Sequence, residues 1–170
     1  MKLIEIDKQR YRRHLNIVIA ACIACLAIGS LGIAQILIHL FPDESGSHFH
    51  WNLLGVAVCV VVIGLTLNRL RSHQFMTEVV YVWELKQALN KINRKMRQLQ
   101  AAATEGNAVA LQALHFSCAG SRQLWQLDDN TILMDDLAVE QARVDSLAKQ
   151  FNVNLDASSF DLATINECLS

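Results

Sequence analysis

Proline and glycine are scarce in this sequence, which contains one proline, Pro42, and seven glycines in 170 residues. With so few residues that break helices or favour unstructured chain, no segment has the composition of a disordered or low-complexity region. The charges nearly balance, giving a net charge of −1 at pH 7. We therefore expect no nucleic acid among the partners of this protein.

The signatures of the common enzyme families are missing as well. The sequence has no G-x-x-x-x-G-K phosphate loop, no nucleophile elbow, no H-E-x-x-H zinc site, and no kinase or dinucleotide signature. Its five cysteines do not suggest a disulfide framework, because three lie in apolar runs and two in segments predicted to face a reducing compartment. We favour a non-enzymatic protein without a cofactor.

Two long apolar runs occupy most of the first half of the chain. The first covers residues 15–41, in which the most polar side chains are Asn16, Gln35 and His39, and the second covers residues 51–68. About 20 apolar residues cross the ~30 Å of hydrocarbon in a bilayer, so each run is long enough for a transmembrane helix. The connection at residues 42–50 is short, which predicts an antiparallel hairpin.

Lysine and arginine are distributed unevenly around these runs. A leader at residues 1–14 carries five of them, the connection carries none, and seven more follow between Arg69 and Arg97. Because positive residues flank membrane helices on the cytoplasmic side, both termini are predicted to be cytoplasmic. The connection would then be periplasmic in a bacterial cell, and Arg69 and Arg71 would lie near anionic lipid headgroups.

The segment at residues 69–105 is predicted to be a basic stalk helix that continues the second span. It lacks glycine and proline up to Ala103, and its apolar residues recur at alternating spacings of three and four, as in a coiled coil. This seam consists of Val82, Leu85, Leu89, Ile92, Met96 and Leu99. It must be buried, either against later helices of the same chain, which we favour, or against a second copy.

The remaining region, residues 106–170, is predicted to be an acidic helical bundle in the cytoplasm. Gly106 suits a helix end and Asn107 a new helix start, and helices are expected at about 108–127 and 134–151. Residues 68–105 carry a net charge of +4, whereas residues 128–170 carry −7. The two charged segments are either separate solvated faces or partners that fold onto each other. The predicted fold class is therefore all-α: a transmembrane hairpin, a stalk and a bundle.

Small residues form stripes in both apolar runs. They are Ala21, Cys25, Gly29 and Gly32 in the first run, and Gly55 and Cys59 in the second. Such stripes let helix backbones approach closely within a membrane, so they are predicted to be helix-packing positions. Cys22 and Cys25 also have the spacing of a redox or metal motif, but no second pair of ligands accompanies them.

Other polar groups suggest two alternative sites. His48 and His50 alternate in the connection near Asp43 and Glu44, an arrangement that can bind Zn²⁺ or Cu²⁺. A membrane enzyme would need a polar cluster such as His115, Arg122 and Asp128, although a histidine among leucines is more often a packed residue. The acidic pairs at 128–129 and 135–136 lack the EF-hand spacing and suit a helix end and a helix start.

Three segments resemble a family of uncharacterised bacterial inner-membrane proteins with two spans. They are the leader M-K-L-I-E-I-D-K, the segment S-H-F-H-W-N-L-L-G at 47–55, and F-M-T-E-V-V-Y-V-W-E-L-K at 75–86. The resemblance implies a bacterial inner-membrane location, and no functional residues follow from it.

The expected function is that of an interaction, assembly or regulatory subunit that presents a helical cytoplasmic domain. The alternatives are a transport or metal-handling accessory protein that uses the His-rich connection and, less favoured, a membrane enzyme. The expected partners are the lipid bilayer, an unidentified membrane or cytoplasmic protein, and a second copy of the chain.

Overall fold

The computed structural model describes residues 1–41, 48–130, 132–156, 158 and 160–165. Within these ranges the chain is helical, apart from turns and a β-bridge at Lys2, so the predicted all-α class is confirmed there. The α-helices are α1 (Lys8–Leu40), α2 (Phe49–Leu70), α3 (Thr77–Asn93), α4 (Met96–Thr104), α5 (Ala108–Leu127) and α6 (Met134–Gln150), and Gln74–Met76 form a short 3-10 helix.

The chain divides into two compact units. The hairpin unit consists of Gln9–Val80, and the helical domain consists of Met1–Lys8 together with Tyr81–Ser170. The first residues of the chain therefore belong to the same unit as its second half. The basic leader predicted at residues 1–14 is divided between the two units, and α1 begins within it at Lys8.

In the hairpin unit, α1 and α2 are both long and apolar enough to cross a membrane. Only 11% of the most apolar window of each helix is buried within the protein, and Ile28, for example, is 75% exposed. A core helix of a soluble protein would bury such side chains, since large exposed apolar patches mark contacts with a membrane or a partner. The apolar faces of these helices are therefore not covered by the chain itself.

Small residues bring α1 and α2 into contact. A Cβ atom at Gly55 would lie 2.7 Å from the carbonyl oxygen of Ser30, and one at Gly29 would lie 2.8 Å from Sγ of Cys59. The Cys59 thiol donates to the carbonyl oxygen of Cys25 at 3.3 Å. Gly32 has no neighbour within 4 Å of such a Cβ atom, and the buried residue at this level is Ala34.

The predicted long stalk helix is wrong, because residues 69–105 are interrupted twice. α2 ends at Leu70, and His73 caps the following 3-10 helix by accepting a hydrogen bond at Nδ1 from the Phe75 backbone. The second break, at Arg94 and Lys95, separates α3 from α4. It falls among basic residues three or four positions apart, whose like charges destabilise a continuous helix, and next to asparagine, a poor helix former.

In the helical domain, α3 to α6 form an apolar core. α5 contributes ten buried residues to it. Five of the six seam residues are buried, and Leu85, Ile92 and Leu99 are fully inaccessible to solvent. The sixth, Met96, is half-buried. A Cβ atom at Gly120 of α5 would lie 3.1 Å from side-chain atoms of both Leu85 and Leu89. The seam is thus covered by helices of its own chain.

The turn between α4 and α5 has the chemistry that the sequence predicted. Gly106 has φ +84°, a conformation that other residues adopt at a cost, and the Asn107 side chain accepts a hydrogen bond from the Ala110 backbone at 3.1 Å. The ring of Phe151 lies so close to Gly106 that a Cβ atom there would be 2.6 Å from it. The glycine therefore serves both the turn and the packing of the residue that follows α6.

The N-terminal segment, Met1–Lys8, is held by hydrogen bonds to distant parts of the helical domain. The backbone of Leu3 donates to Ser158 at 2.7 Å, and that of Phe160 donates to Met1 at 2.8 Å. Tyr81 connects this segment to the helices: its hydroxyl accepts from the Ile4 backbone at 3.0 Å and donates to Gln123 at 2.9 Å. Gln123 in turn donates to the carbonyl oxygen of Ile4 at 2.6 Å.

Replacing Tyr81 with phenylalanine should lower the free energy of unfolding by about 1–3 kcal/mol, because the Ile4 amide and the Gln123 carbonyl lose their partner. Urea unfolding of the full chain in detergent, followed by tryptophan fluorescence, measures this loss. The control is a double-mutant cycle with Gln123→Met: the double variant should lose less than the sum of the single losses. Strictly additive losses would contradict the hydrogen-bonded triad of Tyr81, Gln123 and Ile4.

Candidate functional site

A cluster of polar and aromatic side chains lies where α1 and α3 begin. Nε of Arg10 is 2.9 Å from one carboxylate oxygen of Glu78, and Nδ1 of His14 is 3.4 Å from the other. The ring of His14 stacks on Phe75, with 4.1 Å between the ring centroids. Only 11% of the Glu78 side chain and 15% of the His14 side chain are exposed. We call these four residues the junction cluster.

The junction cluster joins the first turns of two helices. Glu78 lies in the first turn of α3, where the helix dipole favours a negative charge, and Arg10 lies in the first turn of α1. A partly buried carboxylate is stable only when opposite charges or donors face it, and the arginine supplies that partner here. The arrangement therefore fixes the start of α1 against the start of α3.

The junction cluster was not predicted from the sequence, although two signals pointed to it. Glu78 is the only acidic residue between Glu44 and Glu84, so its charge stands alone among apolar and basic neighbours. His14 follows Arg10 by four positions, which places both on one face of a helix. The sequence does not indicate that the start of α1 contacts the start of α3.

A groove opens between α1 and α2 next to the junction cluster. Its volume is about 780 Å³, and its walls are formed almost entirely by apolar side chains of the two helices, while the 3-10 segment contributes Phe75 and Met76. Ala21, Cys25 and Gly29, which were predicted to pack against a helix, line this hairpin groove, and Cys59 lies where its walls meet.

The polar cluster suggested for an enzyme is not assembled. Nδ1 of His115 lies 2.8 Å from the Gln141 amide and 3.4 Å from the Asp145 carboxylate, both on α6. Asp128 pairs instead with Lys86, at 3.2 Å, and follows the end of α5. His115 and Asp128 are 13 residues apart along a helix, or about 20 Å. The structure thus does not bring His115, Arg122 and Asp128 together.

Cys118 is the cysteine nearest to this histidine along α5, and it is buried. Burial, reinforced by the negative charge of Glu140, raises the pKa of its thiol from 9.0 to about 11. A reactive cysteine needs a lowered pKa, because the thiolate is the nucleophile. The Cys118 thiol stays protonated at neutral pH and acts as a small apolar core group.

The His-rich connection falls partly outside the described residues, which exclude Asp43 and Glu44. His48 directly precedes α2, and the ring of His50 lies 4.7 Å from the indole of Trp51. Among the residues that are described, no group of three histidine, cysteine or acidic side chains could hold a metal ion. Metal binding by His48 and His50 stays a prediction.

Comparison with known proteins identifies the family. A family model described as "protein of unknown function (DUF3087)" matches residues 1–165. The chain belongs to this family. The expectation that the chain belongs to an uncharacterised family is thus confirmed, and the match extends over both apolar helices and nearly all of the helical domain. No curated protein and no solved structure matches the chain.

The raised pKa of Cys118 predicts a pH-dependent contribution to stability. Because the thiol holds its proton more tightly in the folded state, its contribution is complete below pH 9.0 and is lost as the pH rises through about 11. The difference in unfolding free energy between the natural protein and Cys118→Ala should therefore shrink over this interval. Urea unfolding in detergent at a series of pH values measures it, and the comparison cancels the titration of all other groups. A difference that stays constant would contradict burial of the thiol.

Proposed function

We propose that this protein is an integral protein of the bacterial cytoplasmic membrane that acts as an interaction, assembly or regulatory subunit. In this proposal α1 and α2 cross the bilayer, and the helical domain binds a partner protein in the cytoplasm without catalysing a reaction. The observation that carries it is that the helical domain includes residues on both sides of the apolar hairpin.

The topology is supported by connectivity and by charge. The N-terminal segment precedes α1, yet it is hydrogen-bonded to residues that follow α2, such as Tyr81 and Ser158. This connectivity supports a topology in which both ends of the hairpin lie on the same side of the membrane. The arginines of the hairpin unit are all at these two ends, in the first turns of α1 and at the end of α2, as expected on the cytoplasmic side.

A reporter that is active only outside the cytoplasm tests this topology. Fused at Ser45, in the connection between the helices, it should be active, and fused after Ser170 it should be inactive. A cytoplasmic reporter at the same two positions should give the opposite pattern and serves as the control. If the outside reporter is active only when it is fused after Ser170, the orientation is opposite to the proposed one.

A role in binding is supported by the state of the polar groups in the helical domain. In its described part, the side chains best suited to chemistry are occupied: His115 contacts Gln141 and Asp145, Lys86 pairs with Asp128, and the Cys118 thiol is protonated. These contacts stabilise the fold, and none of them pairs a nucleophile with a base in the part of the domain that the structure describes. The domain therefore has the properties of a binding module.

One face of α6 and the turn before it carry uncovered apolar groups. Ile132 is 87% exposed and Val139 is 72% exposed, and Asp135 and Asp136 lie between them. Residues 128–170 have a net charge of −7. Exposed apolar side chains within an acidic surface are suited to a protein partner that presents apolar and basic groups, because opposite charges guide and orient association.

Site-specific photo-crosslinking in cells tests this binding face. A crosslinking amino acid at Val139 should yield a discrete adduct with a second protein, whereas one at Gln87, exposed on α3, should not. Reversing the charge at Asp135 and Asp136 to lysine should weaken the adduct, and the control Glu105→Lys should leave it unchanged. Equal adducts at Val139 and Gln87, or no effect of charge reversal, would contradict a binding role for α6.

A further inference from the structure

Along most of its length the hairpin groove has apolar walls, which suit an apolar occupant. The polar groups that reach it are already used: the Thr66 hydroxyl donates to the carbonyl oxygen of Val62 at 2.8 Å, and the Cys59 thiol donates to Cys25. Apart from the Cys22 thiol and His73, which lies at one end, the remaining lining is apolar, with Ile17 and Leu70 near that end and Phe75 beside them. A chain of methylene groups would gain about 0.8 kcal/mol per group from such an environment relative to water.

The end of the groove near Ile17 and Leu70 is strongly basic. Arg13 precedes Ile17 by about one helical turn, Arg69 directly precedes Leu70, and both arginines are exposed. The described part of the hairpin unit contains five arginines and one acidic residue, Glu78. An occupant with a negative group at this end of its apolar portion would thus be complementary in charge.

His73 adds a hydrogen-bond donor at the same end. It lines the groove, and its Nδ1 accepts a hydrogen bond from the Phe75 backbone at 3.2 Å. A neutral histidine that accepts at Nδ1 carries its proton at Nε2, so this nitrogen is a donor. Arginine and histidine donors together match the oxygens of a phosphate group.

We infer that the hairpin groove binds an anionic phospholipid of the inner leaflet, with an acyl chain between α1 and α2 and the phosphate at Arg13, Arg69 and His73. This inference rests on the proposed membrane topology, because only that topology places the basic end of the groove at the level of the inner headgroups. The bound lipid would fill the space that the two helices of one chain leave open between them.

A second copy of the chain is the competing occupant, and charge disfavours it. Two copies inserted in the same direction would place their arginine-rich ends side by side, where like charges repel. The negative phosphate of an anionic lipid, in contrast, would be attracted to the arginines at this end.

Spin-labelled lipids test the inference on the full chain in phosphatidylcholine vesicles. Trace phosphatidylglycerol labelled on its acyl chain should show a larger motionally restricted fraction than labelled phosphatidylcholine. Ala24→Trp, which fills the groove, should remove this excess, and the milder Ala21→Phe should reduce it.

The matched control is Ala27→Trp, at an exposed position of α1 outside the groove lining, which should retain the excess. Arg13→Gln combined with Arg69→Gln should abolish the preference for phosphatidylglycerol.

Several outcomes would overturn the inference. Equal restriction of the two lipids, or an excess that survives both groove-filling variants, would show that the groove is no lipid site. If Cys25 crosslinks two copies in the natural protein and Ala24→Trp abolishes the crosslink, the occupant is a second copy. A chain that does not float with the vesicles in a density gradient would contradict the proposed topology itself, which separates that failure from a failure of the lipid site.

Discussion

Hydrogen bonds between the N-terminal segment and the helical domain impose the main constraint on this structure. They join Met1 and Leu3 to the backbone around Ser158 and Phe160, and they join Ile4 to Tyr81 and Gln123. Everything between Lys8 and Tyr81 is therefore a loop that leaves the helical domain and returns to it. The two apolar helices, the break that directly follows α2 and the junction cluster all occur within this stretch.

The two units are stabilised by different means. In the helical domain, seam residues such as Leu85 and Ile92 are removed from solvent, and the hydrophobic effect provides most of the stability. The hairpin unit leaves most of its apolar surface uncovered, and its two helices meet through glycine, alanine and cysteine at close range. Close backbone packing of this kind is favourable where the surroundings are as apolar as the helices themselves.

The sequence predicted features that depend on neighbouring residues and missed those that depend on distant ones. The helices at 108–127 and 134–151 and the Gly106–Asn107 turn follow from periodicity and cap chemistry, which are local. Apolar periodicity continues through Arg94 and Lys95, so it could not reveal the helix break there. The contacts of Glu78 with Arg10 and of Ile4 with Gln123 join residues far apart in sequence, and no local pattern encodes them. For the hairpin, the sequence identified Gly29, Gly55 and Cys59 but not Ala34.

The same long-range pairing has a consequence for the order of folding. Ile4 is 119 residues from Gln123, and its segment pairs with residues even later in the chain. During synthesis the first eight residues leave the ribosome long before these partners exist. They lack their final hydrogen-bond partners until both apolar helices and the later helices of the helical domain have been synthesised. Contacts between remote residues form late and slowly because the intervening chain must first be ordered. These hydrogen bonds of the N-terminal segment can therefore form only after both apolar helices and α3 to α5 have been synthesised.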